Sequence, residues 1–253
     1  MFHPEGPSFV ELLRQALSST ERGYDLLAPK FDLTPFRTPD AILEVMAREA
    51  GRVNHTARTP EGRPGRDGNV RSALDVMCGT GAAMAWLRPL CTERVVGMDF
   101  SAGMLAEAGA RVSAAPGSAR IELVRGDVLA MRFDREFDVA VSAGAFGHIL
   151  EKDEATLLGN IQRALRPGGR FIFPTAEPPP PTSPGFWLGH GFNAAMRVRN
   201  ALVSPPFVMY YLTMLWPAVR EKLERASFDV EARRSVFPAP FERALLVVAT
   251  KRA

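Results

Sequence analysis

From Ser72 onward, short apolar runs alternate with helix-like segments, and this alternation restricts the fold more than any other feature of the chain. Runs at Ala73–Met77, Arg94–Met98, Ile121–Arg125, Phe137–Ser142 and Arg170–Pro174 read as strands, with helices expected to start near Ala82, Ala102 and Asp153. Phe228–Arg234 and Ala244–Thr250 read as two closing strands. Strands separated by helices pair in parallel through right-handed crossovers. The expected class is therefore α/β: a doubly wound, mostly parallel seven-stranded sheet with helices on both faces. Ligands of such sheets gather beyond the carboxyl ends of the strands, so the residues just after each strand carry the functional information.

After the first strand, the apolar run Leu74–Cys78, which contains Asp75, breaks into Gly79-Thr80-Gly81, and Ala82–Leu87 has the composition of a helix. Strand, glycine turn and helix start together let a ligand approach bare backbone N–H groups. Met84 occupies the place of the third glycine of a dinucleotide-type turn, so the turn alone does not name its ligand. The second strand ends in Gly97-Met-Asp99-Phe100-Ser101, where a carboxylate can accept hydrogen bonds from a ribose diol and Ser101 can cap the next helix. Gly126-Asp127-Val128 follows the third strand: Asp127 offers an acceptor to an adenine amino group, with Val128 or Met104 as an apolar cover for the ring. The fourth strand leads into Ser142-Ala143-Gly-Ala-Phe-Gly-His148, a loop of small residues that permits close approach. Arg166-Pro-Gly-Gly-Arg170 is a sharp turn into a buried strand.

These features, in this order and spacing, resemble the class I S-adenosylmethionine-dependent methyltransferases, which are Rossmann-like, of the small-molecule type. The resemblance rests on Leu74-Asp75-Val-Met-Cys-Gly79-Thr-Gly81, Gly97-Met-Asp99-Phe-Ser, Gly126-Asp127, Phe137-Asp138-Val and Leu165-Arg-Pro-Gly-Gly169, and it runs closely from Ser72 to Pro174. It implies S-adenosyl-L-methionine as cofactor. It further implies that Asp75 orients the glycine loop, Gly79 and Gly81 let that loop pass close to the cofactor, Asp99 holds the ribose hydroxyls and Asp127 the adenine amino group. Met77, Cys78, Phe100, Met104, Val128 and Ala143 complete the implied cofactor-binding set. Met77 departs from the pattern, because the family commonly has glycine there. Upstream, Gly23-Tyr24-Asp-Leu-Leu-Ala-Pro-Lys-Phe-Asp32 resembles a segment that precedes the core in many members. Tyr24, with Phe31 behind it, either folds over the cofactor as a lid or packs the N-terminal helices onto the sheet.

Composition narrows the class further. The 253 residues suffice for one large domain, and 46% hydrophobic with 23% charged residues is ordinary for a globular protein. A net charge of +3 gives no basic face for nucleic acid, no appended RNA-binding segment is visible, and nucleic-acid partners are not expected. Cys78 and Cys91 fit a reducing compartment, and Met1–Pro7 lacks the pattern of a signal peptide, so a cytoplasmic location is expected. Clustered carboxylates for a catalytic metal are not apparent, and no metal is expected.

Three regions are expected: an N-terminal helical cap over 1–51, with helices at Ser8–Leu17 and Pro39–Ala50; a mobile Arg/Gly/Pro-rich connection over 52–71; and the methyltransferase domain over 72–253. Within the last, 178–226 is expected to be a helical insertion on the acceptor side, built from Phe186–Val203 and Phe207–Ala226. Phe207, Tyr211, Met214 and Leu215 fall at helical spacing and form an apolar stripe that is core, pocket lining or a membrane-surface contact. Phe207–Trp216 is too short to span a bilayer, so no stable membrane insertion is expected.

Methyl transfer is an in-line displacement that needs an aligned nucleophile, exclusion of water and sometimes removal of a proton. His148 is the expected general base, with the alternative that it packs beside Phe146 and Ile149; His190 is a weaker candidate. The reading is a methyltransferase acting on O, N or C of a small, apolar or aromatic metabolite. A noncatalytic cofactor-binding scaffold and an aminopropyl transferase are the alternatives on the same fold. The sequence leaves the acceptor's identity and the oligomeric state open.

Overall fold

A computed structural model describes residues 3–52 and 70–252. Two short helices open it, α1 (Phe9–Ala16) and α2 (Thr20–Leu27), each capped by a serine. At α1 the cap is reciprocal: Ser8 Oγ accepts from the Glu11 N–H, and the Glu11 carboxylate accepts from the Ser8 N–H at 2.7 Å. A 3-10 turn over Ala28–Leu33 and helix α3 (Asp40–Ala50) complete the N-terminal cap. The core follows as β1 (Val70–Val76), α4 (Ala82–Leu87), β2 (Cys91–Asp99), α5 (Ala102–Ala114), β3 (Arg120–Arg125), β4 (Phe137–Val141), α6 (Glu154–Ala164) and β5 (Leu165–Thr175). Helices α7 (Pro184–Leu202) and α8 (Ala218–Arg225) then lead to β6 (Phe228–Arg233) and β7 (Leu245–Lys251).

The strands form one sheet in the order β3-β2-β1-β4-β5-β7-β6. The first five are mutually parallel, and β7 runs antiparallel to both of its neighbours. The expected strands are all present, four of them longer than expected: β1 opens at Val70 and β3 at Arg120, and the other two extend further. β2 opens at Cys91, and β5 opens at Leu165, which pairs with Phe137 before the Pro-Gly-Gly turn shifts the register.

The strands read as continuous apolar runs because both faces are covered. Alternate residues enter two separate cores: Leu74, Val96, Ala140 and Phe171 pack with α6 and α8, whereas Ala73, Val95, Val139 and Ile172 pack with α3, α4 and α5. The connections leave β1 and β4 in opposite directions along the sheet, so a crevice opens between the carboxyl ends of these two neighbours.

Two expectations need correction or restriction. Residues 207–216 form no helix. Pro205 and Pro206 precede the segment and Pro217 ends it, and Leu212 and Met214 have φ of +59° and +51°. Its backbone is held by side chains instead: Asn200 bonds both N–H and C=O of Phe207, and Asn193 does the same for Tyr211. The insertion is thus one long helix, an irregular strap and a short helix. Most of the 52–71 connection, residues 53–69, lies outside the described residues. Among the described residues, no helix is long and apolar enough to cross a membrane.

Candidate active site

A cavity of ≈ 730 Å³ lies beyond the carboxyl ends of β1, β2, β4 and β5. Its floor is the first strand-turn-helix unit. Gly79 has a φ of +52°, and a Cβ built there would meet no heavy atom within 4 Å, so bare backbone faces the cavity. Gly81, at φ +74°, works differently: a Cβ there would stand 2.9 Å from Ala108 Cβ, so its bareness lets α4 start against α5 and leaves it out of the cavity lining. Met77 occupies the same turn with a φ of +59°, a left-handed conformation that costs a residue with a Cβ about 1–2 kcal/mol. Its side chain is buried in the α6 core and also lines the cavity. The departure from glycine is therefore a strained backbone compensated by packing.

Two carboxylates stand on this floor. Asp99 ends β2; its Oδ2 accepts from the Gly79 N–H and its Oδ1 from the Ser101 N–H, both at 2.9 Å. Ser101 Oγ caps α5 by accepting from the Met104 N–H at 3.1 Å. Asp99 thereby ties the glycine turn to the start of α5 while retaining free lone pairs toward the cavity. Burial raises its pKa, an effect opposed by the backbone N–H donors. Asp75 is 2% exposed, and its Oδ2 has no hydrogen-bond partner among the described residues. Burial first, and the Asp99 charge second, push its pKa up to about 8.

The N-terminal cap supplies the roof. Tyr24, Phe31 and Phe36 line the cavity from above, facing Met209–Thr213 of the strap. Two acids fasten this roof to the floor. Asp25 Oδ1 accepts from Ser101 Oγ at 2.6 Å and from the Gly103 N–H at 2.9 Å. Asp32 accepts from Thr80 Oγ1 at 2.9 Å and pairs with Arg111. Both acids fall in the Gly23–Asp32 segment, but the sequence reading gave roles there only to Tyr24 and Phe31.

His148 closes a 3-10 turn after β4 and lines the cavity. Its Nδ1 lies 2.7 Å from the Val208 carbonyl, which can only accept, so Nδ1 carries the proton. Nε2 is then the acceptor for the Tyr24 O–H, 2.8 Å away. Burial lowers the His148 pKa and raises that of Tyr24. Tyr24 also stacks on Phe207, with ring centroids 6.2 Å apart and planes 13° apart, so the roof, the histidine and the strap form one aromatic cluster. Gly147 permits the close approach: the Tyr210 N–H donates to its carbonyl at 2.8 Å.

The structure thus brings Tyr24, Asp75, Met77, Cys78, Gly79, Asp99, Phe100, Met104, Ala143 and His148 together around one cavity. Asp127 and Val128 are not in its lining. Asp127 is exposed and accepts from the Leu129 N–H at 2.8 Å, while Val128 is buried in the α6 core. His190 stands on the exposed side of α7 against Phe186, away from the cavity. The sequence reading missed Pro35–Thr38, which line the cavity without any periodic signal. No group of three or more His, Cys, Asp or Glu able to hold a metal occurs among the described residues.

Comparison with known proteins gives a consistent picture. A family described as a methyltransferase domain matches residues 73–169. A demethylmenaquinone methyltransferase of Bacillus cereus (strain ATCC 10987 / NRS 248) is 31% identical over 179 residues, covering 68% of this chain and 69% of the relative. One from Thermus thermophilus is 31% identical over 139 residues (54% of this chain, 61% of the relative), and one from Shouchella clausii is 37% identical over 117 (46% and 48%). The chain thus spans about half to three fifths of the length of these last two relatives. Among solved structures, the DhpI–SAH complex matches with a TM-score of 0.62 at 18% identity, covering 97% of this chain and 99% of that one, which shows a shared fold. The putative methyltransferase crystallised with the Haloferax volcanii Trm112 activator gives 0.58 at 20% identity, covering 93% and 98%.

Proposed function

The chain belongs to the class I S-adenosylmethionine-dependent methyltransferases, and on that premise we propose that it transfers a methyl group to O, N or C of a small apolar or aromatic metabolite. The observation that carries the reading is the two-sided character of a single cavity, with a carboxylate-bearing floor at the glycine turn and an aromatic wall across from it.

The floor fits the cofactor on its own chemistry. Asp75 Oδ2 is buried without a donor, an arrangement that a cationic group or an ordered water would satisfy. Gly79 presents backbone without a side chain, and Asp99 has lone pairs to spare for hydroxyls. Within the proposal, Asp75 serves the amino-acid end, Asp99 the ribose, and Phe100 and Met104 the adenine ring. Asp127, exposed just after β3, where Arg125 pairs in register with Asp99, is assigned to the outer adenine edge. Val128, buried in the α6 core, supports that turn from behind. When bound, S-adenosylmethionine supplies an electrophilic methyl carbon on a sulfonium.

On the acceptor side, Phe31, Phe36, Tyr210, Tyr211 and Leu212 favour a flat apolar molecule. The relatives are named for demethylmenaquinone, and an aromatic ring of that kind is the acceptor class this wall suits. His148 is proposed as the base, acting through Tyr24. The Tyr24 Oη takes the acceptor's proton while its own O–H proton passes to Nε2, which already accepts that hydrogen bond. Cys78 and Cys91 lie at opposite ends of the central strands, which supports the reducing, cytoplasmic location included in this proposal.

Incubating the protein with methyl-tritiated S-adenosylmethionine and fractionated cell extract tests the proposal. Label is expected in the organic-extractable fraction. Label confined to protein or nucleic acid, or transferred nowhere, contradicts it.

A further inference from the structure

Helix α7 is packed through only one side. Gly189 and Asn193 are buried, with Phe186, Phe192, Met196 and Asn200 half-buried on the same side. The opposite side is also apolar. Trp187 is 67% exposed, Leu188 77% and Leu202 79%, and Ala194, Ala195 and Val198 continue the stripe between them. At about 100° per residue these positions cover an arc of about 120°, wide enough for a buried face. From Trp187 to Leu202 the stripe runs about 22 Å along the helix at about 1.5 Å per residue.

Helix α1 repeats the inversion. Phe9, Val10, Leu13 and Leu17 form its outward side, with Phe9 79% exposed, while its one buried residue is the polar Gln15. Arg199, at the edge of the α7 stripe, joins the two helices by donating to the Ala16 and Ser18 carbonyls at 2.8 and 2.9 Å. Arg199 thereby links the end of α1 that carries the exposed Leu17 to the end of α7 that carries the exposed Leu202. Scattered exposed leucines need no explanation, but a contiguous rimmed patch marks an interaction site.

Charge indicates the occupant. Between Glu177 and Glu221 the sequence contains no acid, while Arg197, Arg199 and Arg220 lie within that span. Among the described residues, Arg14, Arg197 and Arg199 form no ion pair with a carboxylate. Arg197 instead sits over the Tyr210 ring, 5.9 Å from its centroid. A second copy of this surface would bring like charges together, whereas an anionic bilayer accepts both the apolar stripe and its arginine rim. Trp187, whose indole N–H donates to the Pro181 carbonyl, adds the aromatic group favoured at a lipid-water boundary. We propose that the joined outer faces of α1 and α7 form a surface on which the protein docks to anionic membranes without crossing them.

Flotation of the full chain tests this with vesicles of phosphatidylcholine alone and of phosphatidylcholine mixed in equal parts with phosphatidylglycerol. Light scattering of the protein without vesicles accompanies it. The wild type should partition at least about tenfold more strongly to the anionic vesicles. Leu188→Glu and Leu202→Glu should each weaken that partitioning at least about tenfold, and Arg197→Gln about fivefold. Thermal midpoints of these variants should match the wild type, since all three side chains are exposed. Four results overturn the proposal: no partitioning, equal partitioning to both vesicle types, variants that partition like the wild type, or a wild-type dimer that Leu188→Glu converts to monomer. The measurement does not depend on methyl transfer, so it fails or succeeds separately from the proposed reaction.

Discussion

Asp75 and Met77 occupy the same turn and create opposite problems, one electrostatic and one steric. Asp75 has a folded-state pKa of about 8 against an ordinary value of 3.8. The folded chain thus holds a proton that the unfolded chain releases, and stability should decline as pH rises from about 4 toward 8. Calorimetry of the ligand-free protein should show Asp75→Asn gaining stability over the wild type as pH rises, with the two nearly equal at pH 4; parallel curves would show that Asp75 is ionised in the fold. Binding of a cationic ligand at Asp75 releases the same proton, so affinity should rise with pH and level off above 8. At Met77, the strain predicts an inverted ranking of substitutions. Both Met77→Ala and Met77→Gly lose the buried side chain, but only glycine also relieves the positive φ. Met77→Gly should therefore unfold at a higher temperature than Met77→Ala, by an amount corresponding to about 1 kcal/mol. The reverse order would place the residue in ordinary backbone geometry.

At the scale of elements, the parts visible in the sequence are those whose burial leaves a periodic trace. Ala73–Met77 and Phe137–Ser142 were legible as strands because neighbouring residues enter different cores, which makes the run apolar throughout. Asp99 and Ser101 were legible because a strand end followed by a cap has a fixed grammar. Helical spacing at Phe207, Tyr211, Met214 and Leu215 misled, because the prolines on either side and the asparagine clamps from α7 decide that backbone. The amphipathic pattern of α1 was visible too, but its period does not reveal which side meets the protein, and the apolar side faces out. The roof's attachment through Asp25 and Asp32 is a matter of contact across 76 and 48 residues of sequence, which no local pattern encodes. Asp25→Ala should accordingly loosen α2. Hydrogen exchange is expected to quicken over residues 20–33 while protection in β1 and β4 stays unchanged. Exchange that rises uniformly would mean that the cap and sheet unfold as one unit.

At the scale of the molecule, the sheet fixes a carboxylate floor, the N-terminal cap lays an aromatic roof on it, and the strap after α7 closes the side with Val208 held against His148. Replacing His148 by alanine should lower turnover while leaving cofactor affinity intact. Because burial holds the histidine pKa below 6.5, wild-type activity should persist on the acid side of that value. A variant with full turnover would remove the Tyr24–His148 pair from the chemistry. The central claim is that this cavity holds the cofactor through Asp99, and calorimetric titration with S-adenosylhomocysteine tests it most directly. The wild type should bind, and Asp99→Ala should bind roughly tenfold to a hundredfold more weakly, as expected for loss of a hydrogen bond to a charged group worth about 1.5–3 kcal/mol. Equal affinity of the two proteins, or no binding by the wild type, would contradict the account.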